Sequence, residues 1–316
     1  VQKIKETGGG LAATAIRDGE LQVRSYPNSF RGNFATHGWE FFETMDLPGN
    51  AARVAEEAAR LITAPECPSG ERTIILDGGQ LALQVHESIG HPIELDRVLG
   101  LEAGFAGTSF LKPSDAGKLR YASEFVNVSA DATTPGGLGT FGWDDEGVPA
   151  QRTDVIREGI FRGFLSSRET AGAVGRNSSG AMRASGWHAI PLIRMTNVNL
   201  LPGLWDLEGL IADTADGLLL ATNRSWSIDD KRLNFQFGCE IAWEIVDGKL
   251  GRVYRNPTYM GITPQFWASC DAVCGPADWR MWGTPNCGKG EPMQTAHVGH
   301  GAAPARFRGV RVGVMK

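Results

Sequence analysis

No apolar run in this 316-residue sequence approaches the roughly 20 residues that a membrane-crossing helix needs, which argues against an integral membrane protein. Cysteine is scarce. Cys67, Cys239, Cys270, Cys274 and Cys287 are odd in number and irregularly spaced, which suits no disulfide framework and points to a reducing, cytoplasmic setting. Cys270 and Cys274 stand four apart without a matching second pair, so zinc-finger spacing is absent and both read as structural. Concentrated positive charge is missing too. The chain carries 31 Lys and Arg against 36 Asp and Glu, a net −5, whereas neutralising phosphates takes clustered basic residues. The one basic stretch, 306–311, reads as a solvated strand, and direct nucleic-acid contact is not expected. Internal repeats and low-complexity tracts are also absent. The chain begins at Val1 with neither an initiator Met nor a signal peptide, and the expectation is that something upstream is missing.

What is present is a globular composition, 42% hydrophobic and 21% charged, which excludes a disordered polymer and a coiled coil. The length suits about two domains. Glycine is over-represented, with 41 residues where an ordinary share would be roughly 7%; turns and close backbone approaches follow from that. The pattern predicts a helix over 50–62 capped by Asn50, a buried strand at 73–76, and a helix over 80–91 stopped by Pro92. Beyond it, strands dominate: 124–128, a hairpin over 155–161 turning at Gly159, and a half-buried strand over 233–245 that turns at Asp247-Gly248 towards Val253. A domain junction falls somewhere in 60–75. Trp267, Trp279 and Trp282 read as core, and 144–147 as a solvated turn.

The sharpest feature is His86-Glu87-Ser88-Ile89-Gly90-His91. A helix presenting two imidazoles and a carboxylate can hold Zn²⁺ and place a base beside it. In the usual H-E-x-x-H spacing the histidines lie about 40° apart around the helix; five apart, they would lie about 140° apart. Both can face one metal only through a π-type turn, bonded i to i+5, for which Gly90 and Pro92 supply freedom and a break. Paired histidines also occur as polar surface or satisfied core groups, so a third ligand is required. The candidates are Cys287, Cys239, His297, His300, Glu94 and Asp96. Cys239 falls in the apolar phase of the long strand. His297 and His300 read as loop surface, with a substrate-side or outer role as the alternative. Glu94 and Asp96 could orient a ligating histidine. Cys287 sits in a glycine-rich loop where neighbouring Lys289 would favour thiolate, and it is the choice.

Five blocks, HESIGHPIELD (86–96), WDDEGVPAQ (143–151), IRMTNVNLLPG (193–203), NFQFGCE (234–240) and NCGKGEPMQTAHVGHG (286–301), together resemble the TldD/PmbA family. That family is a set of cytoplasmic zinc metallopeptidases once described as modulators of DNA gyrase. The H-E-x-x-x-H motif marks its metal-binding, TldD-like member. The resemblance implies His86, His91 and Cys287 as ligands of one Zn²⁺ per chain and Glu87 as the catalytic glutamate. It implies an α+β fold: a remnant of an α/β N-terminal domain over 1–70, then a β-rich, barrel-like antiparallel metallopeptidase domain over 71–316. It also implies a dimer, either homodimer or heterodimer with a PmbA-like paralogue, and peptide or unfolded-segment substrates. Family members are longer at the N-terminus than this chain.

These residues predict a zinc-dependent peptidase in which Glu87 moves the protons. Arg183, Arg194, Thr196 and Asn197 would either line a peptide cleft by strand addition or make strand-face hydrogen bonds, and His297 would lie on the substrate side. The alternative is a non-catalytic peptide- or protein-binding regulatory subunit, which has no need of a carboxylate at Glu87. A DNA-associated regulator is disfavoured by the charge.

Overall fold

The computed structural model describes residues 2–29, 31–105 and 107–313. Its centre is a closed ring of five strands. Asp216–Ile228 pairs with Gly70–Leu76, which pairs with Ala305–Val312, then Thr258–Ile262, then Asn234–Val246, and the last strand pairs back onto Asp216–Ile228. Closure leaves no free edge within the ring. Lys249–Arg255 and Cys270–Val273 add at its margins. The fold is the expected α+β, barrel-like one, with one difference: the seam between Gly70–Leu76 and Asp216–Ile228 is parallel. A parallel pair needs a crossover, and here the whole metal-motif region and a second sheet form it. That second sheet runs Val198–Leu200, Val128–Asp131, Arg152–Arg157, Ile160–Phe161. Among the described residues no helix is long and apolar enough to cross a membrane.

The long strand begins as predicted, with Phe235 and Phe237 buried and Asn234 and Gln236 exposed. From Gly238 to Ala242 every residue is buried, so the half-buried expectation fails there. The reason is a second cover. Phe235, Phe237 and Cys239 face the main core with Tyr259, Phe266 and Phe307, where the Phe266 and Phe307 rings stack at 4.2 Å. The opposite face is closed by the N-terminal segment, through the helix Leu47–Thr63 and the hairpin Leu11–Arg17/Glu20–Tyr26. Leu61 packs there with Ala221, Ile241 and Val253. Arg24 reaches across, donating to Glu57 and Glu240 at 2.9 Å each.

Several local expectations shift. Asp46, not Asn50, caps the first long helix, accepting the Gly49 N–H at 3.2 Å. The 124–128 strand starts only at Val128, because Val126 N–H closes a turn onto Ser123 O. The 155–161 hairpin forms, with Glu158 and Gly159 both at positive φ (50° and 75°), the twist that two-residue turns favour. The 306–311 stretch is a barrel strand, solvated as expected at Arg308, Gly309 and Arg311 but not at Arg306, which is 3% exposed, its guanidinium held by Asp271 and Asp213. Trp267 is core. Residues 144–147 form a turn whose Asp144 carboxylate accepts the N–H groups of Glu146 and Val148.

Leu61 is fully buried, so Leu61→Ala leaves a cavity between the N-terminal helix and the barrel and should cost about 2–5 kcal/mol of unfolding free energy. Denaturant titration checks this; a loss below about 0.5 kcal/mol would mean the helix is not packed there.

Candidate metal centre

Asp77 starts the metal-motif helix by accepting the Gln80 N–H at 2.7 Å, and seven of the eight residues of Gly78–Val85 are buried. The helix then widens into a π turn, His86–Gly90, closed by the His91 N–H onto His86 O at 3.1 Å. This is the i to i+5 geometry that the spacing requires, and it brings the two imidazole centroids to 4.8 Å. Two devices hold it. Pro92 has no N–H to offer the carbonyl four residues back, and the Tyr121 hydroxyl donates to that orphaned Ser88 O instead. Gly90 is needed for space rather than for an unusual φ: a Cβ there would lie 2.1 Å from Sδ of Met195, itself fully buried.

The hydrogen bonds set which imidazole nitrogen carries a proton. Val198 O can only accept, so the His300 Nδ1 that meets it at 3.1 Å donates. In neutral His300, Nε2 is then an acceptor and takes the proton on His86 Nδ1 at 2.7 Å. His91 Nδ1 likewise donates to Glu94 Oε2 at 3.1 Å. Both ligand-candidate histidines are thus left with a bare Nε2. Burial, the leading cause, pulls His86 and His300 below the ordinary imidazole value and His91 down to about 4, which keeps all three rings neutral at pH 7. Outer partners of this kind fix the orientation of metal-ligating histidines.

The third donor comes from the other end of the chain. Cys287 Sγ lies 3.7 Å from His91 Nε2, and one ligand atom each from His86, His91 and Cys287 fall within 4.8 Å of one another. Cys287 is not in a loop as expected. It lies in the strand Arg280–Lys289, after a bulge at Thr284/Cys287 that breaks the pairing with Gln294–Ala302. Of the five free thiols, burial drives four upward, with Cys67, Cys270 and Cys274 reaching about 12 and Cys239 also raised. Cys287 alone moves down: burial opposes, but His91 and then Arg194 outweigh it. Lys289 does not serve the thiol. Its fully buried ammonium bonds both Asp96 oxygens, at 2.8 and 2.7 Å, and Ile193 O at 2.6 Å. Two neutral imidazoles and a thiol biased to thiolate are a donor set that fits a divalent metal of zinc's kind.

A cleft of ≈ 290 Å³ opens on these groups, and His86, Glu87, His91 and Cys287 line it with Arg232 and Trp282. Trp282 therefore lines the cleft while its ring packs against the main core, only partly buried. Glu87 accepts from Arg232 at 2.7 Å, a partner that sequence reasoning missed; its only local signal is the Asp229 carboxylate gathering the Leu233 and Asn234 N–H groups into a tight turn. The residues expected to bind substrate stand elsewhere. Arg194 is 1% exposed and donates to Cys287 O and Gln294 O, bracing the cysteine strand from behind. Arg183 donates to Met195 O. Thr196 is buried, and the Asn197 amide ties Gly139, Asp131 and Thr140. His297 pairs with Glu6 at 2.6 Å. None of the five lines the cleft. His300, expected on a surface loop, is fully buried in a strand.

A barrel whose buried helix delivers H-E-x-x-x-H against a strand cysteine makes a candidate metal site of two histidines and one cysteine. The sequence model of the PmbA/TldA metallopeptidase C-terminal domain matches residues 69–313, and the chain belongs to that family. A metalloprotease of Methanocaldococcus jannaschii is 35% identical over 239 residues, covering 75% of this chain and 51% of its own. A metalloprotease TldD homolog of Haemophilus influenzae is 27% identical over 280 residues, covering 86% and 55%. The crystal structure of TldE from Thermococcus kodakarensis superposes with a TM-score of 0.71 at 17% identity, covering 95% of this chain and 61% of that one. The chain thus spans about half the length of the curated relatives it matches.

Removing the Tyr121 hydroxyl leaves Ser88 O without its donor. Tyr121→Phe should weaken binding of a divalent metal at this site about 10–100-fold, the range for outer-shell losses, with a stability loss of about 1–3 kcal/mol; a chelator-competition titration reads the first and denaturant the second. Unchanged affinity would show that the π turn holds without it. A pH prediction follows from the histidines. At pH between His91's value of about 4 and the unfolded 6.5, the unfolded chain binds protons that the metal-free native state refuses. Stability of the metal-free protein should therefore fall as pH drops through that window, by up to about 1.4 kcal/mol per pH unit per histidine. Unfolding midpoints measured in chelator from pH 7 to 4 test it, and a flat profile contradicts it.

Proposed function

We propose that this chain carries the metal centre of a zinc-dependent peptidase acting on peptides or unfolded protein segments. His86, His91 and Cys287 would hold one zinc ion per chain, and Glu87 would be the general base and acid. The observation that carries this reading is the convergence of three metal-competent donor atoms within 4.8 Å, in a cleft that the carboxylate of Glu87 also lines. Zinc, when bound in such a set, supplies Lewis acidity towards water and carbonyl oxygen. Glu87 takes the proton of the attacking water and returns it to the leaving amine. Arg232, donating to Glu87 Oε2, positions the carboxylate for both transfers. His300 and Glu94 hold the two imidazoles through their Nδ1 atoms, leaving each Nε2 bare, while Arg194 holds the Cys287 backbone.

The relatives' name of metalloprotease supports the reaction class. A division at 70/71, with residues 1–70 as the end of a preceding domain, is supported by the start of the family match at residue 69. Likeness to TldE supports assembly with a PmbA-like paralogue or a second copy of the chain. A reducing, cytoplasmic setting is supported by five unpaired thiols.

Metal analysis combined with digestion of an unstructured peptide pool tests the assignment. Glu87→Gln should retain stoichiometric zinc and lose about 10²–10⁴-fold in cleavage rate, the usual worth of a general acid–base group. Equal cleavage by both proteins would overturn the role of Glu87. Cys287→Ser should lose tight zinc binding, and undiminished affinity would exclude Cys287 as a ligand.

A further inference from the structure

A second cleft, of ≈ 640 Å³, lies along the strand Arg152–Arg157 and shares no lining residue with the metal cleft. Four arginines, Arg152, Arg157, Arg162 and Arg176, line it with a single carboxylate, Asp154. This inverts the charge of a chain that is −5 overall. We propose that the cleft binds acidic peptide segments, the guanidinium groups receiving glutamate and aspartate side chains.

Asp154 shows that a carboxylate fits here: its oxygens stand 3.7 Å from Arg152 Nε and 3.5 Å from Arg157 Nη1, long contacts on half-exposed side chains that an incoming carboxylate can share. Arg162 and Arg176 take part in no ion pair among the described residues, and Arg162 Nε is buried without a hydrogen-bond partner, a cost that a bound acceptor would relieve. The Ser166 hydroxyl and the Asn177 amide supply further polar groups. The volume is that of a site for a sizeable ligand, far beyond one oxyanion. It continues past Arg152, Asp154 and Arg157 into a neighbouring hollow of ≈ 500 Å³. Single-stranded nucleic acid is a poor fit, because it needs exposed aromatic faces for its bases, and the one aromatic in the lining, Phe164, is 5% exposed. The inference does not rest on the metal centre.

Fluorescence anisotropy with a labelled hexaglutamate at low ionic strength tests it on the zinc-loaded protein. Binding is expected to weaken with salt and to fall about ten-fold or more in Arg162→Gln/Arg176→Gln, which removes two charge-assisted partners. Binding should strengthen in Asp154→Asn, an exposed change that does not threaten the fold. Absence of binding, equal affinity in all variants, or displacement by inorganic phosphate as effective as by unlabelled hexaglutamate would each overturn the proposal.

Discussion

One hydrogen bond, from His91 N–H to His86 O at 3.1 Å, carries the architecture of the centre. In a regular helix the same two histidines would point about 140° apart and share nothing. The π turn brings them together, and the neighbouring residues exist to keep it: Pro92 denies the ordinary helical bond, Tyr121 satisfies the carbonyl left over, and Gly90 leaves room for Met195. Ser88, in the middle of the turn, is clamped by Gln84 and by Trp267 Nε1 at 2.8 Å, which ties the distortion to the aromatic core of the barrel.

Burial makes the arrangement chemically definite. A chain of donors running from His86 through His300 to Val198 O selects one tautomer, and a low-dielectric setting keeps the rings neutral. The same burial would be costly for Lys289 and Glu94, were they not compensated. Burial works to raise Glu94, yet Lys289, His91 and Arg97 together hold it well below the usual carboxylate range. One buried ionic cluster thus joins the end of the metal-motif helix to the cysteine strand, so Cys287 and His91 are positioned by interactions that touch neither ligand atom. A buried pair of this kind is weak as a source of stability but strong as a determinant of register.

Much of this was legible in the chain because it depends on local periodicity and spacing. The alternation at 234–237, the hairpin at 155–161 and the five-residue separation of His86 and His91 are statements about neighbours a few positions apart. The π turn followed from geometry alone. The errors share a cause as well. Lys289 beside Cys287 suggests an electrostatic pair; the two do share a buried strand face, but both Asp96 oxygens and Ile193 O hold the ammonium, and the distant Arg194 approaches the cysteine strand. Arg232 could not be found because its partner lies 145 positions away. For Arg183, Arg194 and Asn197 the sequence left a peptide cleft and hydrogen bonding within the strands equally open; their bonds to backbone carbonyls match the second.

By itself, then, the sequence determined the motif helix and its required distortion, the strand-rich class, and the kind of side chains able to bind metal, since each rests on short-range stereochemistry. Only the tertiary structure decided how Cys287, already favoured over Cys239 by its sequence setting, is carried to His91 on a strand, which imidazole nitrogens are bare, and that Arg232 rather than solvent faces Glu87. Those outcomes depend on which segments, up to about two hundred residues apart, barrel closure brings to one place, and no local pattern encodes that pairing.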